Sequence, residues 1–337
     1  NLTSNKPESM HILLANKAPI PVFAYGGTER VVWDLGKMLV QLGHRVTYLV
    51  PEGSSCDFAR VLAIDPGKGW QAQIPADVDI AHFQFDPEFT ADTQPDCPYV
   101  VTEHGNARAG WPLPRNTVFV SRDHAARYGS TSYVHNGLDW AAYGPVDWAQ
   151  PRTHHHFLGK AAWRVKNVKG AIQVARRAGV ELAVMGGTRL NLRRGFRFTL
   201  SRHVQFYGMV GGAQKTQLLN ASNGLIFPVR WHEPFGLAVI ESLYFGCPVF
   251  ATPYGALPEL VPADCGRLSV QADDLVEAVR THSFDRQACH ARAVDHFSAA
   301  RMAQDYLQKY QQVLDGEFLN PVQPAIQGEA RQLPWNA

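Results

Sequence analysis

Three observations predict an α/β fold of two domains, each built around a parallel β-sheet, with a cleft between them. The chain has 337 residues, too many for one ordinary core at ~100–200 residues per domain. Short apolar strands alternate with helical stretches in both halves, as in parallel sheets wrapped by helices. Residues 144–153 contain two prolines and no apolar period, which indicates a linker. A cleft between two such units is the expected ligand site.

The elements of the first half follow from its apolar pattern. We predict strands at residues 11–16, 45–50, 79–83, 99–102, 117–120 and 133–135. From residue 28 the apolar side chains recur at helical spacing, and Gly43 ends this helix.

The second half repeats the alternation. We predict strands at 156–159, 182–185, 204–207, 225–227 and 249–251, and helices at 168–178, 212–221 and 235–245. Further helical segments lie between residues 274 and 314, and the last twenty or so residues are irregular. We therefore expect domains at residues 1–150 and 151–315 and a tail at 316–337.

Composition excludes several classes of protein. A net charge of +2 argues against a nucleic-acid partner, and no apolar run approaches the ~18–20 residues that span a bilayer. The start of the chain lacks the pattern of a signal peptide. Five scattered cysteines, never spaced CxxC, argue against disulfides and a zinc site. We expect a cytoplasmic protein.

The most informative segment is RWHEPFGLAVIESLYFGCPV, residues 230–249. Pro234 suits the first turn of a helix, which leaves the amides of Phe235, Gly236 and Leu237 unpaired at a positive helix end. Such an end binds phosphate, and a glycine there lets a ligand approach the backbone closely.

Two carboxylates belong to the same segment. Glu233 precedes the predicted helix and Glu241 lies about two turns into it, so that each can meet a different part of an elongated ligand. A buried helix with an incidental acid at its start is the alternative. Glu-Pro-Phe-Gly-Leu, with a second Glu eight residues after the first, resembles the EX7E motif of family 4 glycosyltransferases. The resemblance implies a retaining enzyme of the GT-B fold, in which two Rossmann-like domains face each other across the cleft. It also implies that Glu233 contacts the donor sugar and Glu241 the ribose.

Other segments resemble the same family. PYGALPELV, residues 253–261, is similar to its loop after EX7E, and the resemblance implies that Gly255 approaches the donor phosphates. HNGLD, residues 135–139, looks like the turn that ends the first domain of the family. VQFYGMV, residues 204–210, resembles the turn beside the nucleobase and contains Gly208. By the same resemblance, a late helix at about 298–314 crosses back to the first domain.

The first half adds two candidates. Gly26-Gly27-Thr28-Glu29 matches the Gly-rich loop that the family places against donor phosphates and acceptor, and a Gly-rich turn opening a helix binds anions on physical grounds. His104 follows an apolar strand and matches a family histidine near the transferred sugar, although a lone histidine is more often structural. The absence of GxGxxG disfavours a dinucleotide oxidoreductase.

The segment FLGKAAWRVKNVKG, residues 157–170, contains the candidate cations for binding the donor diphosphate. At the matching positions the resembled family has an Arg and a Lys. Lys160 stands at the Arg position and Lys166 best matches the Lys, with Arg164 and Lys169 as competitors. A lysine does not reproduce the fork of an arginine. A basic, solvated loop is the alternative.

A metal site is not expected. Asp77 and Asp79 fit a turn before a strand, and adjacent residues of His154-His155-His156 point to opposite faces of a strand. Arg193, Arg194 and Arg197 fit an exposed loop, with an acidic acceptor or peripheral contact with a membrane surface as alternatives.

The resemblance implies transfer of a hexose or N-acetylhexosamine from a nucleotide diphosphate sugar, UDP rather than GDP, to an acceptor hydroxyl without a metal. We expect this step in cell-envelope glycan or glycoconjugate biosynthesis. Another GT-B enzyme (a nucleotide-sugar epimerase or a phosphorylase) and a non-catalytic sugar-nucleotide sensor are the alternatives. The acceptor and the oligomeric state stay open.

Overall fold

The strands form two six-stranded parallel sheets, which confirms the predicted fold class. The computed structural model describes residues 9–21, 27–188, 190–191, 197–198, 202–328 and 331–337. Helices flank both sheets, and the cleft lies between them.

The first sheet has the strand order β3-β2-β1-β4-β5-β6. Its strands are β1 (His11–Ala15), β2 (Arg45–Val50), β3 (Arg60–Ala63), β4 (Ile80–Phe83), β5 (Tyr99–Thr102) and β6 (Thr117–Val118). Helices α1 (Gly27–Gln41) and α2 (Arg122–Arg127) belong to this half. Strand β1 is buried along its whole length, as a central parallel strand covered on both faces must be.

The second sheet has the order β11-β8-β7-β12-β13-β14. Its strands are β7 (His154–Leu158), β8 (Leu182–Met185), β11 (Val204–Gly208), β12 (Ser222–Phe227), β13 (Val249–Ala251) and β14 (Gly266–Leu268). Two short strands outside this sheet, β9 (Leu190–Asn191) and β10 (Arg197–Phe198), form an antiparallel pair. The helices are α3 (Val168–Ala178), α4 (Gly212–Asn220), α5 (Leu237–Tyr244), α6 (Leu257–Leu260), α7 (Ala272–Thr281), α8 (Arg286–His296) and α9 (Ala299–Leu314).

Local sequence explains where helix α3 begins and ends. The Asn167 side chain accepts a hydrogen bond from the Gly170 amide, which caps the first turn. Gly179 adopts φ 72°, the left-handed conformation that commonly stops a helix. The predicted bounds of α3, β8 and β13 are confirmed to the residue.

One predicted strand was wrong and two strands were missed. The strand at 133–135 reduces to one bridge between Tyr133 and Phe119, because β6 ends at Val118 and the chain turns into α2 soon afterwards. Strand β3 was missed because it is a partly exposed edge strand without alternation, and β14 because three residues carry no pattern. All five cysteines are free thiols, as the spacing predicted.

The end of the chain contacts both halves. Helix α9 packs against α1, and the hydroxyls of Tyr306 and Tyr310 bond to Thr102 and His82 of the first sheet. After α9 the chain has no helix or strand in residues 316–328 and 331–337. Asn320 is nevertheless buried and bonds to the main chain at Arg115 and Thr117. Every helix in the described ranges falls short of the length and apolarity that a membrane span needs.

A buried acid joins α1 to the end of the first half. Asp34 is 3% exposed and accepts a hydrogen bond of 2.9 Å from the Asp139 amide, while Asp139 pairs with Lys37. Burial raises the pKa of Asp34 to about 6, against the opposing effects of the Asp139 amide and of the Arg30 and Lys37 charges. The folded protein therefore holds a proton that the unfolded chain releases near pH 4, and stability falls as pH rises through this window.

Replacement of Asp34 by Asn should remove this pH dependence. Asn keeps an oxygen for the Asp139 amide without the buried charge, so we expect D34N to be more stable than wild type by about 2 kcal/mol above pH 7. Thermal melts between pH 4 and 8 measure the difference, which should shrink toward pH 4. A difference that does not vary with pH would refute this account.

Candidate active site

The cleft contains a cavity of about 620 Å³ that both halves line. The first half contributes the start of α1 and the residues after β5, and the second half contributes the loops around β7 and α5. The residues that line it and that the sequence singled out are Gly27, His104, Lys160, Lys166, Glu233, Phe235, Gly236 and Leu237. The structure thus brings residues from distant parts of the sequence to one cavity.

Glu233 is the most constrained side chain in this cavity. It is 6% exposed, and both of its carboxylate oxygens accept from the Lys166 ammonium, at 2.9 and 2.8 Å. The Trp231 indole donates to the same carboxylate at 2.6 Å. The Lys166 ammonium also lies 4.9 Å from the centre of the Trp231 ring, where a cation is attracted by the ring face. The carboxylate is buried, paired and held in one orientation.

The backbone around Glu233 differs from the prediction. Helix α5 begins at Leu237, and Pro234 lies outside its first turn, because the capping residue Gly236 adopts φ 105°, a left-handed conformation that no helix continues. Glu241 is therefore the fifth helical residue, little more than one turn into α5. Gly255 lies directly against the main chain of Glu233. A Cβ on residue 255 would lie 2.3 Å from the main-chain nitrogen of Glu233.

Glu241 lies at a second cavity of about 310 Å³, which shares Gly27 and Leu237 with the first. The Lys215 ammonium is 2.6 Å from one carboxylate oxygen, and the Tyr143 hydroxyl donates to the other at 2.7 Å. Burial, and then the Glu241 charge, raises the pKa of Tyr143, so the phenol keeps the proton it donates. Like Glu233, this carboxylate is paired with a lysine and fixed by an aromatic donor.

His104 enters the larger cavity from the end of β5. Its Nε2 lies 2.7 Å from the Gln84 side-chain oxygen. Burial lowers the pKa of His104 to about 4, so the imidazole is neutral at pH 7. The neighbouring Glu103 carboxyl has a pKa raised by burial. The first half thus presents a neutral ring to the cavity.

Of the four cations that the sequence offered for a diphosphate, two line the larger cavity and two do not. Lys160 and Lys166 line the larger cavity, and the exposed Lys160 ammonium lies 4.8 Å from the centre of the Trp163 ring. Arg164 and Lys169 are exposed and are not among the residues that line either cavity.

The remaining predicted glycines have different surroundings. Gly27 starts α1, and a Cβ on it would lie 3.0 Å from Leu237, so the starts of α1 and α5 meet. Gly208 adopts φ 69° at the end of β11 and bonds through its main chain to Gly186 and Gly187. Gly208 and Gly255 are not among the residues that line these two cavities. Gly26 lies outside the described residues, as do Arg193, Arg194 and the side chain of Arg197.

Four side chains at these cavities escaped the sequence analysis: Trp163, Trp231, Tyr143 and Lys215. Trp231 stands two residues before Glu233, so an indole near the motif was a signal that could have been used. Tyr143 and Lys215 carry no such signal, because they are 98 and 26 residues from Glu241 and meet it only through the fold.

The histidine run lies on β7 and is used in packing. His156 bonds to the hydroxyls of Ser222 and Ser242, and the His154 ring bonds to the Leu218 carbonyl. Nowhere in the described ranges do three His, Cys, Asp or Glu side chains gather as a metal site would require.

Comparison with known proteins relates the second half to a family of enzymes. Residues 151–283 match the family model described as Glycosyl transferases group 1. An uncharacterized 41.2 kDa protein in the cps region of Klebsiella pneumoniae is 28% identical over 116 residues. That match covers 32% of this chain and 32% of the relative, so the chain spans about a third of the curated protein it matches.

Solved structures extend the likeness to both halves. AviGT4, a glycosyltransferase involved in avilamycin A biosynthesis, superposes with a TM-score of 0.74 at 23% identity, covering 91% of this chain and 98% of AviGT4. HepE of Anabaena in complex with UDP-glucose gives a TM-score of 0.66 at 16% identity, covering 90% of this chain and 100% of HepE. The fold is GT-B, and residues 151–283 are similar to the group 1 glycosyl transferases.

The Lys166–Glu233 pair yields a prediction about stability. Lys166→Met leaves Glu233 buried without its cation, which should lower stability by about 3 kcal/mol in the absence of ligand. Lys160→Met is the matched control, because Lys160 is exposed and its loss should leave the melting temperature nearly unchanged. Thermal melts of both variants measure the effect. The double variant K166M/E233Q should regain part of the loss, and equal melting temperatures for the two single variants would contradict the assignment.

Proposed function

We propose that this protein is a retaining glycosyltransferase that transfers a hexose or N-acetylhexosamine from a UDP-sugar to an acceptor hydroxyl. One observation carries the proposal: Glu233 and Glu241 stand on either side of the start of α5, at two adjoining cavities between the sheets. Each carboxylate is buried and held by a lysine and an aromatic donor. Two carboxylates fixed in this way are suited to accept hydrogen bonds from hydroxyl groups at two points along an extended ligand.

In this proposal the smaller cavity takes the nucleoside. Glu241 accepts from the ribose hydroxyls, and its pairing with Lys215 and Tyr143 keeps it oriented before the ligand arrives. UDP is preferred to GDP because HepE, which shares the fold, was solved with UDP-glucose.

The larger cavity takes the diphosphate and the sugar. Lys166 and Lys160 lie at the cavity from the second half, and Glu233 faces it beside them. A donor diphosphate competes with Glu233 for the Lys166 ammonium, so that phosphate binding frees the carboxylate to accept from the sugar hydroxyls. As the bond to the sugar breaks, negative charge grows on the leaving diphosphate, and cations fixed there stabilise the transition state more than the ground state.

The acceptor approaches from the first half, where His104 contacts the sugar as a neutral imidazole. The departing phosphate oxygen takes the acceptor proton, and the acceptor hydroxyl attacks from the side the leaving group vacates, which retains the anomeric configuration without a covalent enzyme intermediate. Closure of the two halves excludes water and limits hydrolysis of the donor. The relative from the cps region of Klebsiella pneumoniae supports envelope polysaccharide as the setting.

Donor class and metal independence are tested together by thermal shift. UDP and UDP-sugars at 100 times their dissociation constant should stabilise the protein by about 2.7 kcal/mol relative to the ligand-free protein. GDP, ADP, NAD and their conjugates at the same concentration should stabilise it less. EDTA should leave the shift unchanged. Stabilisation by NAD alone would overturn the proposed donor site. Loss of the UDP effect in EDTA would overturn its metal independence.

The ribose role of Glu241 is tested by substitution. Glu241→Gln removes the charge that accepts from the ribose, so the dissociation constant for UDP should rise at least tenfold, the effect of about 1.4 kcal/mol. Glu277→Gln, an exposed acid on α7, is the matched control and should bind UDP as wild type does. Isothermal titration gives both values, and unchanged affinity in E241Q would show that the ribose binds elsewhere.

A further inference from the structure

Buried amides without partners gather at one edge of the first sheet. In the described ranges, seven buried side-chain nitrogen or oxygen atoms have no hydrogen-bond partner, and three of them belong to Asn16, Gln84 and Asn136. These side chains are 6%, 8% and 5% exposed. Buried polar groups are paired with few exceptions, and each exception requires an explanation. A ligand that supplies the missing partner is one.

The topology brings the three amides to the same edge. Ala15, the last residue of β1, is in register with Phe83, the last residue of β4, so Asn16 and Gln84 follow side by side. Asn136 follows the bridge that Tyr133 forms beyond β6. All three therefore lie where parallel strands end, the edge at which open α/β sheets bind ligands.

Two of the amides connect directly to the cleft. Asn136 lines the larger cavity together with His104 and Glu233. Gln84 reaches the cavity through His104, because its side-chain oxygen is bound to His104 Nε2 at 2.7 Å. The unpartnered atoms are then the Gln84 Nε2, a donor, and the Asn136 Oδ1, an acceptor.

This combination fits a hydroxyl group, which donates one hydrogen bond and accepts others. The groups named at this edge carry no charge at neutral pH, because burial lowers the pKa of His104 to about 4 and the other side chains are amides. The amide atoms at this edge therefore offer partners for an uncharged polyol, whereas the lysines that line the larger cavity, Lys160 and Lys166, come from the second half.

We propose that Gln84 and Asn136, with Asn16 beside them, bind a hydroxyl-bearing ring of a neutral sugar acceptor and hold it against the donor sugar at Glu233. This inference rests on the proposed transfer reaction and adds to it the chemical class of the acceptor. It assigns the amides to acceptor binding and leaves the nucleoside to the smaller cavity at Glu241.

Apolar replacements separate ligand binding from a structural role. Asn136→Leu removes the amide at nearly constant volume and takes an unpaired buried oxygen out of the free protein, so we expect a melting temperature equal to or above that of wild type. Gln84→Met also removes an unpaired buried atom, but it takes away the partner of His104 Nε2, so its readout is the kinetics alone. Asn320→Leu is the contrasting control, because Asn320 is 2% exposed and fully engaged with Ser130 and the main chain at Arg115 and Thr117. Its loss should lower the melting temperature.

The functional readout is transfer from UDP-glucose, UDP-galactose or UDP-N-acetylglucosamine to a panel of methyl glycosides and the matching sugar 1-phosphates. Wild type should use a neutral glycoside, and kcat/KM for it should fall at least tenfold in Q84M and in N136L. The dissociation constant for UDP should stay within about threefold of wild type.

Three results would overturn the acceptor site: a melting temperature of N136L that falls as in N320L, an unchanged kcat/KM in both variants, or wild-type transfer to sugar phosphates alone. A wild-type protein that binds and turns over no UDP-sugar would instead overturn the proposed function. The two failures are distinguished by the UDP titration of the wild-type protein.

Discussion

A buried carboxylate needs a fixed cation, and the pairing of Glu233 with Lys166 is the constraint on which the rest of this cleft depends. It joins the loop after β7 to the loop after β12, two segments 67 residues apart. The main chain on either side is held as well, since the Arg230 amide bonds to the Val165 carbonyl at 2.7 Å. Gly255 lets the next loop lie against the Glu233 main chain, where any larger residue would force them apart. These contacts together keep the Glu233 carboxylate in one place in the protein interior.

The same loops connect the two halves of the molecule. The Ser121 hydroxyl, at the cap of α2, donates to the Pro234 carbonyl next to Glu233 at 2.7 Å. Glu259 of α6 accepts from the amides that begin α2 and lies 3.4 Å from His135. The two halves are therefore joined by hydrogen bonds next to Glu233 and at Glu259 as well as by the packing of α9 on α1.

Much of the fold was predictable because its signals are local. Apolar runs, helical periods and terminating glycines located most strands and the long helices. The family resemblance singled out Glu233 and Glu241 from the sequence alone. Errors arose where tertiary context overrode pattern. Gly236 caps α5 at its start, so the helix begins at Leu237 and not at residue 235. The predicted strand at 133–135 pairs with its neighbour through one residue only. Gly255 lies against the Glu233 main chain, and its approach to the donor phosphates stays a prediction.

By itself the sequence determined the α/β class, the alternation of both halves and the two motif carboxylates, since each is encoded in short-range spacing. Only the tertiary structure decided which side chains neutralise those carboxylates. Lys215 and Tyr143 reach Glu241, and Gln84 reaches His104, across separations of 20 to 98 residues that no local pattern records. The physical reason is that burial, pairing and the loss of hydrogen-bond partners are properties of a packed interior. They come into existence when strands that are distant in the chain end side by side at one edge of a sheet.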